Sequence, residues 1–144
     1  MTVYLLDVNI LIALLDPDHV HHERAHQWFA QTAHRAWASC PITEAAVPRI
    51  LGNPRYPNAR GTPAAIMPYL RNLCAHPGHA FWHDDISILD PNRIDATRLL
   101  DFGQITDTYL LALAVAHEGK LATFDRRLVT NAVPEGKNHL ALIR

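Results

Sequence analysis

The chain is poor in the features that mark several large protein classes. Its 144 residues include only two cysteines, Cys40 and Cys74, which form neither a C-x-x-C pair nor a disulfide framework. Both are expected to be small buried residues of a reducing compartment. Only two serines occur, Ser39 and Ser87, and no G-x-S-x-G elbow surrounds them, which argues against a serine hydrolase. Six glycines build no G-x-G-x-x-G or G-x-x-x-x-G-K-[ST] loop, which argues against the common nucleotide-binding loops. No basic n-region precedes the first apolar run, and Asp7 and Asn9 interrupt it, so a secretory signal is not expected. Nor does any run approach the about 18–20 apolar residues of a membrane span. The expectation is a cytoplasmic protein with no membrane partner.

Charge of either sign is not in excess. Thirteen Lys and Arg stand against 14 Asp and Glu, for a net charge of −1. Contact with nucleic acid must therefore rest on a local patch rather than on a global field. Hydrophobic residues make up 49% and charged ones 19%, an ordinary globular composition. A chain of this length forms one domain and buries about 70% of its unfolded surface.

What is present is an alternation of strands and helices. Val3 to Leu6 is an apolar, β-prone run that ends in Asp7-Val8-Asn9, and Ile10 to Leu15 follows as a helix. His21 to Ala33 has helical spacing, and Ala36 to Cys40 is a short strand candidate. Thr43 to Leu51 reads as a helix strained by Pro48 and stopped by Gly52-Asn53-Pro54. Ala64 to Ala75 is a further helix, and the signal from His76 to Asp85 is weak. Ile86 to Leu89 reads as a short strand and Pro91 to Leu100 as a helix. Thr106 opens the clearest helix, through Ala116, ended by Gly119. Leu121 to Phe124 and Leu140 to Ile143 complete the strands. This order predicts βαβ units and a parallel sheet covered on both faces, in a single domain over residues 1–144.

Four carboxylates stand out by position. Asp7 and Asp125 each end an apolar strand, while Glu44 and Asp107 lie in first helical turns after Thr43 and Thr106. Strand ends and the starts of following helices share one edge of a parallel sheet, so all four are expected in one cleft. Each alone is better explained as a helix cap or turn residue. Together, unpaired carboxylates repel and raise each other's pKa, and a divalent cation relieves that repulsion. Oxygen-only ligation favours Mg²⁺ or Mn²⁺ over zinc. By contrast, Asp84, Asp85, Asp90, Asp95 and Asp101 follow no strong element start and read as solvated surface.

The ordered set Asp7-x-Asn9, Thr43-Glu44, Thr106-Asp107 and Thr123-x-Asp125 resembles a PIN domain, and within that family the VapC-type ribonuclease toxins of prokaryotic toxin–antitoxin pairs. The resemblance spans essentially the whole chain, weakest from His76 to Asp101. It implies a three-layer α/β/α sandwich around a central, mostly parallel sheet, and a metal-dependent endoribonuclease. It further implies Asp7, Glu44, Asp107 and Asp125 as catalytic and metal-binding acids, with Asn9 and Thr123 supporting them. An RNA substrate, a cognate antitoxin and a homodimer are implied in the same way. Attack by metal-activated water predicts 5′-phosphate and 3′-hydroxyl ends.

Arg126 and Arg127 follow Asp125 directly, and Arg49, Arg55, Tyr56 and Arg60 gather near one loop, so these are the candidate substrate contacts. A competing signal is His22-Glu23-Arg24-Ala25-His26, a literal H-E-x-x-H, the spacing of zinc metallopeptidases. His34 or Glu44 would have to serve as third ligand, and with ten histidines in the chain a chance match is easily had. The neighbouring His19 and His21 are expected in solvent. An RNA-processing nuclease outside any toxin pair is the other alternative.

Overall fold

The computed structural model describes residues 1–144. Five strands, β1 (Tyr4–Leu6), β2 (Trp37–Ser39), β3 (His79–Phe81), β4 (Lys120–Thr123) and β5 (Leu140–Leu142), form one sheet of order β3-β2-β1-β4-β5. Every neighbouring pair is parallel, with Leu5 opposite Ala38 on one side and Leu121 on the other. Five helices cover it: α1 (Val8–Leu15), α2 (His22–Trp28), α3 (Pro41–Leu51), α4 (Pro63–Cys74) and α5 (Ile105–Ala116).

Strand alternation divides the interior into two cores. Leu6, Trp37 and Ala122 point to a cluster with α1 to α4, built on Ile10, Leu11, Leu14, Val47 and Ile66. Leu5, Ala38 and Leu121 point the other way, to Leu110, Leu111 and Leu113 of α5 and to Trp82 and Ile94. Three layers result, as expected. The continuous apolarity of α5 reflects burial of every residue from Leu110 to Ala114.

The chain leaves β1 towards β2 and β3, then returns to add β4 and β5 on the opposite side of β1. The switch in strand order therefore falls between β1 and β4. Ligands of open α/β sheets bind outside the strand C-termini at that point.

Three expectations fail between His76 and Gly119. Ile86 to Leu89 is irregular, and the edge strand is instead His79–Phe81. With three residues and an exposed Phe81, β3 is too short for an alternating pattern to register. Pro91 to Leu100 forms turns and a single 3₁₀ turn, Ala96–Arg98, rather than a helix. Asp90 and Asp95 accept from the amides of Asn92 and Thr97, two residues on, and these local turns compete with helix formation. The left-handed residue ending α5 is Glu118, at φ 57°, not Gly119. Gly119 serves a different purpose, since a Cβ there would lie 2.5 Å from the Val3 carbonyl oxygen and 2.8 Å from the Trp82 ring.

These two positions respond oppositely to substitution. Gly119→Ala is expected to lower stability by about 1–3 kcal/mol through overpacking. Glu118→Gly relieves a left-handed side chain and is expected to raise stability by up to about 1 kcal/mol. Urea unfolding of both variants checks the pair.

Candidate active site at the switch point

The site begins where β1 and β4 end. The Asp7 amide still donates to the Ala122 carbonyl oxygen at 2.9 Å, which continues the ladder one residue past the strand. Asp7 then turns the chain into α1 and caps it, its Oδ1 accepting from the Val8 amide at 2.7 Å. Its other oxygen, Oδ2, accepts from the Thr123 hydroxyl at 2.8 Å. Capping and site formation are thus two uses of one buried side chain.

Thr123 is the hub. Its hydroxyl donates to Asp7 and accepts from Asn9 Nδ2 at 3.0 Å and from the Asp125 amide at 3.1 Å. A hydroxyl has one donor and two acceptor positions, so this buried group is fully satisfied. Asn9 Oδ1 also accepts from the Phe124 amide at 3.3 Å, which ties the first turn of α1 to the end of β4. Asn9 and Thr123, singled out in the sequence, are brought together with Asp7 by these bonds.

Asp107, in the first turn of α5, is half-buried on the same side of the sheet. Burial, with the charges of Asp7 and Asp125 beside it, raises its pKa to about 6. Asp7 is also raised, chiefly by burial and against its hydrogen bonds from Thr123 and Val8. An open cleft is lined by Asp101, Gly103, Gln104, Asp107, Asp125 and Arg127. Asp125 turns the chain there, its Oδ1 accepting from the Arg127 amide at 2.9 Å. Asp101, read as plain surface, is exposed but borders this cleft while capping the 3₁₀ turn before α5.

Glu44 is placed apart from the other three acids. It shares their sheet edge, but its Oε2 accepts from Ser39 Oγ at 2.5 Å, and Ser39 lies on the face of β2 that carries α1 to α4. Asp7 and Thr123 lie on the α5 face. Glu44 contributes nothing to the raised pKa of Asp7 or Asp107. One edge therefore carries two clusters, on opposite faces.

The arginines also divide. Arg127 lines the acidic cleft, Arg126 beside it is exposed, and Arg49 is exposed on α3. Tyr56 and Arg60 are committed elsewhere. The Tyr56 hydroxyl donates to Asp16 Oδ2 at 2.5 Å, and Arg60 pairs with Asp16 and Asp18. The Tyr56 hydroxyl proton is thus used within the chain.

The H-E-x-x-H motif has a structural use. His22 Nδ1 hydrogen-bonds the Ala13 carbonyl oxygen at 2.7 Å and His26 Nε2 the Leu14 oxygen at 2.9 Å. Both acceptors are orphan carbonyls of the last turn of α1, so the imidazoles cap that helix. No third ligand gathers around them. His19 and His21 are half-buried rather than in solvent, His21 against Phe124 with ring centroids 5.0 Å apart. Asp84 is likewise not solvated surface. It is half-buried, with Oδ1 unpaired and its pKa raised by burial.

An all-parallel α/β/α sandwich with aspartates at its switch point places acidic side chains where open α/β sheets take their ligands. Comparison with known proteins narrows it. The PIN domain family model matches residues 4–133. Ribonuclease VapC44 of Mycobacterium tuberculosis (strain ATCC 25618 / H37Rv) is 48% identical over 140 residues, covering 96% of this chain and 98% of the relative. Ribonuclease VapC39 of the same strain is 41% identical over 128 residues, covering 89% and 92%. Among solved structures, VapBC2 from Rickettsia felis, bound to a DNA fragment from its promoter, aligns with TM-score 0.61 at 14% identity over 98% of this chain and 97% of that one. FitAcB from Neisseria gonorrhoeae aligns with TM-score 0.62 at 18% identity over 98% and 96%. The chain belongs to the PIN domain family, in its VapC-type group.

The raised Asp107 pKa predicts a pH-dependent stability. An aspartate whose pKa is higher in the folded state favours the fold below the unfolded value of 3.8, and that contribution is lost as pH rises through about 6. Asp107→Asn is therefore expected to raise Tm at pH 7.5 by roughly 2–4 °C per kcal/mol of relief, and to confer no gain at pH 4. In the same metal-free protein, Asp125→Asn should move the Asp107 titration, followed by carboxyl carbon NMR, down from about 6.

Proposed function

We propose that the protein is a Mg²⁺-dependent endoribonuclease, the toxin of a toxin–antitoxin pair, acting through Asp7, Asp107 and Asp125. The single observation that carries this is the convergence of these three aspartates at the β1/β4 switch point, where burial, with the charges of Asp7 and Asp125 beside it, raises Asp107 to about 6. The relatives named ribonucleases and the toxin–antitoxin architectures sharing the fold support the same reading.

The donor set fits a hard divalent cation. It is all oxygen, uncompensated by a nearby cationic side chain other than Arg127, and its mutual repulsion is relieved by a 2+ charge. Asp7, Asp107 and Asp125 would hold Mg²⁺, with Mn²⁺ able to substitute. Bound there, the ion supplies charge neutralisation at the phosphate and a lowered pKa for the attacking water.

The chain's own groups do the rest. Thr123 and Val8 fix both oxygens of Asp7, so the carboxylate meets the substrate without reorganising. Asn9 holds Thr123 in place. Asp107, raised to about 6, is ionised at neutral pH and offers its oxygens to the cleft. Arg127, on the cleft wall, is placed to bind a neighbouring phosphate, and Arg126 and Arg49 offer further backbone contacts. Glu44, at the same sheet edge with Oε2 accepting from Ser39, is the fourth acid that the family resemblance assigns to this set.

A cognate antitoxin and a homodimer are part of the proposal. No helix is long and apolar enough to cross a membrane.

Purified, partner-free protein is expected to cut a pooled structured RNA with Mg²⁺ and not with EDTA. Asp7→Asn should lower the rate about 100-fold or more, from loss of several kcal/mol of charge stabilisation. Thr123→Val should weaken Mg²⁺ binding by about 10–100-fold. End-labelled products should carry 5′-phosphates, and 2′,3′-cyclic phosphates would overturn the metal-water mechanism. Cutting that persists in Asp7→Asn would overturn the site.

A further inference from the structure

Apolar surface gathers at the rim of the acidic cleft. Of the chain's ten exposed large hydrophobic side chains, four, Leu100, Phe102, Ile105 and Val129, lie on the two segments that bound it. Phe102 is the extreme case. It is 94% exposed, the most open aromatic ring of the chain, and Tyr69 comes next at 60%. Its neighbours in sequence, Asp101 and Gly103, both line the cleft.

A lone exposed apolar residue needs no explanation. This one differs in that the backbone beneath it is fixed. The Leu100 and Asp101 amides both donate to Gln104 Oε1 at 3.0 Å, and the Gly103 amide donates to Asp101 Oδ1 at 3.1 Å. Gln104 Nε2 donates to the Arg98 carbonyl oxygen at 3.3 Å. The 3₁₀ turn Phe102–Gln104 then passes directly into α5 at Ile105. Phe102 is therefore held about 9 Å of backbone rise from Asp107. The polar groups of the turn are spent on building it, and its ring is left in solvent.

We propose that Phe102 is a substrate-binding residue, whose ring stacks on an unpaired RNA base next to the scissile phosphate. The proposal rests on the endoribonuclease reading of the cleft. Charge balance calls for such a contact. The net charge is −1, and the cleft wall sets Asp101, Asp107 and Asp125 against Arg127 alone, so attraction for the phosphate backbone is weak. Stacking does not depend on that charge, because every base offers a π-face. A phenyl ring on a fixed turn also has little freedom to lose when a base settles on it. Two selectivities follow. A base stacked within a duplex has no free face, so single-stranded RNA is preferred. Purines, with the larger face, are favoured at one position beside the cut.

The test is steady-state cleavage of a random-sequence, fluorescein-labelled single-stranded RNA pool by the full, partner-free chain with Mg²⁺. Phe102→Ala is expected to raise KM about 10–100-fold and to leave kcat within about threefold, because stacking holds substrate and transition state alike. Phe102→Trp and Phe102→Tyr should keep the original KM. Phe102→Leu, apolar but without a π-face, should behave as Phe102→Ala does. Sequencing of the cut ends should show a purine preference that Phe102→Ala flattens. The ring packs on nothing in the chain, so these variants keep the fold.

An unchanged KM in Phe102→Ala, or full activity in Phe102→Leu, overturns the proposal and leaves the nuclease standing. Activity lost together with sedimentation mass assigns the ring to a contact between copies of the chain, and overturns it too. Absence of cutting by the unmodified chain counts against the nuclease reading instead, and anisotropy of the same labelled pool then decides for Phe102. Binding weakened about 10–100-fold in Phe102→Ala and kept in Phe102→Trp upholds the stacking contact. Binding indifferent to the substitution, or no binding at all, overturns it.

Discussion

The hydrogen bond from Thr123 to Asp7 joins two strand ends that are 116 residues apart in sequence. It is possible only because β4 lies beside β1 with Leu6 in register with Ala122. That register puts the last inward residue of one strand next to the first residue beyond the other, on one face. The parallel pairing of β1 and β4 is therefore the constraint on which the site depends. Everything else in the cleft is hung from it: Asn9 through the first turn of α1, Asp125 through its amide, and Asp107 through the packing of α5 over both strands.

The same pleat explains why the acids do not all meet. Successive strand residues face opposite sides, so a shift of one position transfers a side chain from one layer to the other. Ser39 shares its face with Trp37, above the α1 to α4 layer, while Cys40 belongs to the α5 core. Glu44 bonds Ser39, while the Thr43 hydroxyl beside it is spent on the Cys40 backbone, both donating to its carbonyl oxygen and accepting from its amide.

Much of the architecture was legible because long apolar runs carry it. The strands before Asp7 and Asp125 and the helix after Thr106 announce themselves by continuous burial. The parallel order then follows from their alternation with helices. Illegible parts were those built by local polar contacts. Asp90 and Asp95 fold back on their own backbone, and β3 is a three-residue edge with no period to read. The site was half legible for a similar reason: position along a strand predicts an edge, but not a face when the following helix can rotate. His22 and His26 mislead in the other direction. Their spacing is that of a metal motif, yet what it matches is the one-residue step between the Ala13 and Leu14 carbonyls at the end of α1.

Placing aspartates this close has a structural consequence. Asp7 is nearly fully buried, and burial opposes its charge, so the fold must stabilise it with the Val8 amide and the Thr123 hydroxyl. Asp107 has no such partner, and burial together with the charges of Asp7 and Asp125 raises its pKa to about 6. One carboxylate is fixed in place by hydrogen bonds, while the oxygens of the other have no hydrogen-bond partner within the chain.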